Sequence, residues 1–408
     1  MSFRISLSGL NAANSDLSVT ANNIANVNTT GFKESRAEFA DLYPISYFGV
    51  ASTATGAGVR LARVAQQFEQ GSVNFTNSSL DLAITGQGFF TLSDNGATVY
   101  TRSGAFGTDR EGFVVNAAGA RLQVFPPVNG GASFDTAQLS DLQLSTADNP
   151  PLATTSIETV LNLPADAAVP ATAVFDSADP TSYNHTTSVT VYDSLGAAHT
   201  ASLYYVKTAN PNEWTLHGEI DGTAVTPVAG ETITFTDTGT LLTPAGGQIT
   251  LSAFTPTTGA ADINITLDAL QSTQYGSSFG VSSLIQDGYT TGRLTGLEIT
   301  AEGVVQARYT NGQATPLGQI ALSSFANPQG LQQLGDTSWG DSFAAGQVIR
   351  GSAGSGNFGQ IQSGALEASN VDLTEQLVNM ITAQRNFQAN AQMISTADQV
   401  TQTIINIR

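Results

Sequence analysis

The sequence predicts a mainly β protein with α-helices at its two ends, arranged as nested modules. Three observations carry this reading. Apolar residues recur at heptad steps of four and three near both termini, the residues between them alternate like strands broken by turn signals, and the composition suits short strands and tight turns: 40 Gly, no Cys, 12% charged residues. At 408 residues the chain exceeds one ordinary core and should divide into several domains.

At the N-terminus, Phe3, Leu7, Leu10, Leu17, Ala21 and Ile24 mark one seam, with Asn14 as its polar interruption. Leu373, Leu377, Met380, Phe387, Ala391, Ile394 and Ile405 mark a second, with Gln384, Asp398 and Thr401 in the polar slots. Residues 365–408 hold neither Gly nor Pro, so as helix they could extend on the order of 60 Å. A seam of this kind asks for another helix. Burying Phe3, Leu7, Leu10, Leu17 and Ile24 could contribute about 1.5–3 kcal/mol each, an upper bound before ordering entropy is subtracted. The N-terminal helix, about 25 residues long, is marginal alone, and Gly9 costs it about 1 kcal/mol relative to Ala. Both ends are therefore expected to be disordered in a free monomer and to become helical on association.

The first helix should end in the Asn- and Thr-rich run that closes on Gly31, where a positive φ is cheap. Residues 44–58 and 351–359 read as loose connectors, rich in Gly, Ala, Ser and Thr. Between them, 80–84, 88–92, 98–102, 112–115 and 121–125 read as a β-meander with turns at 94–96, 109–112 and 116–119. After an Ala/Pro/Asp-rich crossing at 148–180, strands at 187–192, 200–207, 214–220, 249–253 and 263–267 suggest a small sandwich or barrel. Residues 294–320 return to the meander style, which makes the second β-domain an insertion in the first. The expected layout is 1–30 with 365–408 as a coiled-coil helical domain, 31–70 with 351–364 as connector, 71–147 with 278–350 as inner β-domain, and 148–277 as outer β-domain.

Charge divides along the same lines. Residues 1–70 carry five bases and five acids, whereas 122–292 carry sixteen acids against Lys207 alone, a net of −15 out of the whole chain's −19. A neutral end that associates and an anionic body that stays in water are the natural reading, and such a body repels nucleic acid and anionic lipid. No apolar run is long enough to span a bilayer, and residues 1–30 lack the pattern of a secretory signal.

Chemistry finds little support. His185, His199 and His217 have no metal-ligand spacing and read as surface histidines, so no cofactor is expected. Residues 351–356 resemble a phosphate loop only superficially, since no strand anchors them and no helix follows directly. Gly86-Gln87-Gly88 reads as a bulge or close strand approach, and Asp94 and Asp109 as turn residues. Tyr183, Tyr192, Tyr204, Tyr205 and Trp214 could form an aromatic surface row for glycans but read more simply as strand core.

Three segments carry a family resemblance. ANNIANVNTTGFKESRAEFADLY (21–43), which includes Asn22, Asn23, Asn26, Gly31, Phe32 and Lys33, closely resembles the signature of the flagellar rod and hook axial proteins. SLDLAITGQGFF (79–90) resembles that family's next shared block, and residues 364–400 its C-terminal signature. Length and the blocks at 275–303 and 307–331 are closer to the hook members than to the rod members. The resemblance implies a non-enzymatic structural subunit exported unfolded through the flagellar export apparatus without a cleaved signal peptide. It implies an extracellular homopolymer, a hollow bendable tube whose terminal helices line the channel, joined to rod, hook-cap and hook–filament junction proteins and transmitting torque as a universal joint. It involves neither nucleic acid nor membrane insertion. The connectors would supply the bending, and the absence of additional outer domains implies a comparatively thin tube. A distal rod subunit is the nearest alternative, and a secreted β-rich adhesin the alternative from another class.

Overall fold

The computed structural model describes residues 2–43, 56–145, 147–228, 230 and 232–406. It divides into two compact units: residues 1–146, 296–308 and 314–408 make the first, residues 147–295 and 309–313 the second.

The first unit contains both terminal helices, α1 (Ser2–Ala25) and α2 (Leu373–Asn406), packed on each other. α2 begins later than the sequence suggests. Ala365–Glu367 is a strand paired with Val73–Phe75, and the helix starts only where Asp372 Oδ1 accepts the Thr374 and Glu375 amides at 2.7 and 3.2 Å. Between α1 and the β-layers the expected connector is largely ordered. Ser35–Leu42 and Gly58–Gln66 form an antiparallel hairpin that packs against α1. Residues 44–55, the greater part of the proposed loose loop, lie outside the described residues.

The body of this unit is one twisted sheet. Its central path runs Ala314–Ser324, Arg121–Phe125, Phe89–Asp94, Ala97–Thr101 and Ser338–Gly340. The Asn95-Gly96 turn has both residues at positive φ, 50° and 92°, which matches the twist of the strands it joins. Phe90, Leu92, Leu122, Val124, Ile320 and Leu322 are wholly buried in its core. The segment 351–359 is not a flexible linker. Ile349–Ser352 pairs with Ala314–Ser324, Gln360–Ser363 pairs with Leu82–Thr85, and a Cβ at Gly351 would lie 2.4 Å from the Phe358 ring. Its glycines provide close packing instead of freedom.

The second unit has two sheets. One is the meander His185–Tyr192, Ala198–Lys207, Glu213–Ile220, Thr232–Phe235 and Leu241–Thr243. The other centres on Ser156–Pro164, which pairs in parallel with Thr266–Asp268 and Thr273–Tyr275 and antiparallel with Gly280–Gln286. That central strand falls inside the crossing expected to be irregular, although Ile157, Leu161 and Leu163 alternate inward as a strand requires. Because Gly280–Gln286 belongs to this sheet, the chain returns to the first unit near residue 296, not 278. Trp214, Tyr205, Leu216, Leu203 and Ile220 fill the core. Lys207, the lone base of the acidic stretch, is buried and caps the next turn, donating from Nζ to the carbonyls of Thr208, Asn210 and Glu213.

Candidate assembly surface and the buried joint beneath it

The helix pair does not use the seam that hydrophobicity suggests. In α1 the covered residues are Ser6, Ala13, Thr20 and Asn23, with Gly9 against α2, where a Cβ would stand 2.6 Å from Asn390 Oδ1. This stripe keeps heptad steps but lies one residue, about 100° of helix, away from the expected one. Small side chains let the two backbones approach closely.

The expected seam residues are left largely uncovered: Phe3 is 51% exposed and Leu7 42%, Asn14 is exposed, and Leu10, Leu17 and Ile24 are only half-buried. In α2 the covered stripe holds Gln376 and Ala383, with Met380, Phe387 and Ile394 half-buried. Those last three belong to both stripes, whereas Leu373, Leu377 and Ile405 face away, 45–66% exposed. Gln384 and Asp398 are likewise exposed. The hairpin exposes apolar residues of its own: Phe39 opposes Leu61 and Ala37 opposes Val64 across the strands. Phe39, Leu61 and Val64 are all exposed.

Beneath this surface lies a charged joint. Lys33 Nζ stands 2.6 Å from Glu367 Oε1 and donates to the Glu69 carbonyl at 2.6 Å. Arg102 Nε stands 3.1 Å from Glu367 Oε2, and its guanidinium donates to the carbonyls of Gly88 and Gly86 at 2.7 and 2.9 Å. The Gly71 amide donates to Glu367 Oε1 at 3.0 Å. Lys33 and Glu367 side chains have no exposure, and Arg102 has 4%. Burial pulls the Lys33 and Arg102 pKa values below their ordinary levels, and Glu367 opposes that in both.

The signature residues build the approach to this joint. Gly31, at φ 70°, donates its amide to the Glu367 carbonyl, and a Cβ there would stand 2.5 Å from the Ser103 nitrogen. Asn23 donates to the Ser35 carbonyl and to Gln376 Oε1, and accepts the Ser35 amide; Gln376 in turn donates to Glu34. Asn22 and Asn26 bond each other at the end of α1, and Phe32 lines a cavity of about 540 Å³ with Trp339 and Gln66. Sequence reasoning picked out Lys33 but missed Arg102 and Glu367, because a buried charge carries no periodic signal, and Gln376, because a polar residue on a helix reads as exposed.

In the second unit the histidines are packed, not free surface groups. His185 stacks on Phe279 and His217 on Phe175, with centroids 4.4 and 4.2 Å apart. His199 is buried between Asp221, 2.7 Å from Nδ1, and Asp193, 3.4 Å from Nε2. Tyr205 and Trp214 are core residues, which removes them from any aromatic binding row. Among the described residues no cluster of His, Cys, Asp and Glu is arranged to hold a metal, and no helix is long and apolar enough to cross a membrane.

Comparison with known proteins agrees with this architecture. Residues 3–33 match the flagella basal body rod protein model, 83–169 the flagellar hook protein FlgE/F/G D1 domain, 162–289 the flagellar basal body protein FlaE D2 domain, and 362–407 the flagellar basal body rod FlgEFG protein C-terminal model. The flagellar hook protein FlgE of Salmonella typhimurium is 40% identical over 416 residues, covering 100% of both chains. That of Escherichia coli is 38% identical over the same extent, and that of Rhizobium meliloti 34% over 99% of this chain and 98% of its own. The crystal structure of Helicobacter pylori flagellar hook protein FlgE2, 14% identical, shares the fold with a TM-score of 0.56 over 72% of this chain and 100% of its own. With full-length identity at this level and family models matching both ends and both β units, the chain belongs to the family of bacterial flagellar hook proteins.

Proposed function

We propose that this hook subunit polymerises through the apolar side of its helix pair, and that the polymer is a hollow, bendable tube acting as a universal joint between rod and filament. The observation that carries the reading is the pairing itself. α1 and α2 meet through Ser, Gly, Ala, Thr and Asn, leaving Phe3, Leu7, Leu373, Leu377 and Ile405 uncovered where sister helices can bury them. Such a pair is marginal in the free subunit and is completed by neighbours. The work is mechanical and involves no catalysis. Rod, hook-cap and hook–filament junction proteins are the expected heterologous contacts, and the flagellar export apparatus the route outward. The acidic second unit, with fourteen acids against Lys207 and Arg293, a net of −12, keeps the assembled surface in water.

Electron microscopy of purified full-length protein after polymerisation tests this. Wild type should give curved tubes, and the double substitution Leu7→Ser, Leu377→Ser should give none while the β units remain folded. Straight tubes from wild type would favour a distal rod subunit, a reading in keeping with the rod-protein models that residues 3–33 and 362–407 of this chain match. Amide exchange on free subunit should show weak protection across Leu373 to Ile394; strong protection there would contradict completion by neighbours.

A further inference from the structure

The chain leaves α1 through residues 26–34 into the hairpin Ser35–Leu42 and Gly58–Gln66, and it returns to α2 from the strand Ala365–Glu367 through residues 368–372. A hinge would naturally sit there, and the sequence suggests connectors around both. The structure places a buried cluster of three charged side chains at this spot instead. Lys33 comes from the outgoing strand of chain, Glu367 from the returning one, and Arg102 directly follows the sheet strand Ala97–Thr101.

We propose that Lys33, Glu367 and Arg102 act as a pin that locks the helix pair to the sheet of the first unit, making the two a single lever under load. An apolar contact holds two layers together but lets them slide, because dispersion and water exclusion have little directionality. Charged groups held by short, directional bonds permit one arrangement only. Glu367 Oε1 accepts from Lys33 and the Gly71 amide, and Arg102 faces Oε2 at 3.1 Å as a charge contact without hydrogen-bond geometry; Lys33 also reaches the Glu69 carbonyl, and Arg102 the Gly86 and Gly88 carbonyls. Each cation therefore spends its donors on backbone of a different segment. Lys33 and Glu367 lie on the segments that lead out of α1 and into α2, so a shift of those segments against Arg102 and the sheet would strip at least one charge of partners in a buried site. The pin joins elements of one unit, so bending of a polymer would have to occur between subunits or elsewhere in the chain.

The inference rests on the polymer reading, and its test separates the two. The chain has no cysteine, so single cysteines at Ala97 and Gln388, both exposed, can carry spin labels. Doubly labelled subunits are diluted in unlabelled wild type, co-polymerised, and the distance distribution between labels is measured. Wild type should give one narrow peak. Glu367→Gln should lose it to a broad distribution, and so should Lys33→Met with Glu367→Leu, an apolar pair that fills the same volume and removes the directional bonds. Excess wild type carries either variant into the polymer even if it does not assemble alone. A narrow peak unchanged in the apolar pair would overturn the pin and leave the triad as a fold element only. Failure of labelled wild type to form tubes would instead sink the polymer reading.

Discussion

The second unit and the helix pair of the first solve burial in opposite ways. In the second unit Trp214, Tyr205, Ile157 and Leu267 are inside, and an anionic skin is outside. In the helix pair Ser6, Ala13, Thr20, Asn23, Gln376 and Ala383 are inside, and Phe3, Leu7, Leu373 and Leu377 look out. The first arrangement is finished as a single chain. The second leaves its hydrophobic surface uncovered among the described residues, and that is the surface the proposed polymer would bury.

Four experiments would break or sharpen that contrast. Trp214→Ala empties a wholly buried site and should cost the second unit about 3–5 kcal/mol, read as a lowered urea midpoint of that unit. A small effect would mean its core is not what holds it. Ala383→Leu inserts bulk into the covered stripe and should cost the helix pair about 1–3 kcal/mol, measured by loss of helical circular dichroism in the assembled subunit. Leu7→Ser, on the uncovered stripe of the same pair, should change free-subunit stability by less than about 0.5 kcal/mol while abolishing assembly. An equal loss from the two helix substitutions would erase the distinction between the stripes.

The smallest effect is expected from pH in the second unit. Burial disfavours a charged His199, yet the hydrogen bonds to Asp221 and Asp193 outweigh it and hold its pKa above the ordinary 6.5. The stabilisation is fully present below about 6.5 and is lost as pH rises through the higher folded value. On the acid side Asp221, held below its ordinary 3.8 by the Thr200 amide and His199, keeps its contribution until pH falls through that lowered value. Unfolding midpoints should therefore be highest in the mildly acidic range, and His199→Gln should flatten the alkaline decline. A decline unchanged in that variant would remove His199 as its cause.

Much of this was legible beforehand. Strand 121–125 and the turns at Asn95-Gly96 and Asn116 to Gly119 follow directly from alternation and turn chemistry, and the terminal helices from heptad spacing. The strand Ser156–Pro164 was hidden because its neighbours are rich in Pro, Ala and Asp, and the start of α2 because strand pairing with Val73–Phe75 overrides the helix propensity of Ala365-Leu366-Glu367. The order in 351–359 was illegible because its glycines look like slack until Phe358 is seen packed on Gly351.

By itself the sequence determined that the ends are helices with an apolar stripe, that the middle is β and acidic, and which family signatures it carries. All of these are local: periodicity, turn residues and charge counts belong to neighbours along the chain. Only the tertiary structure decided which stripe of α1 faces α2, and that Lys33, Arg102 and Glu367 meet in one dry site. Those depend on how closely two backbones can approach and on segments more than 260 residues apart, as Lys33 and Glu367 are, arriving at one point. Nothing in a local pattern encodes that meeting.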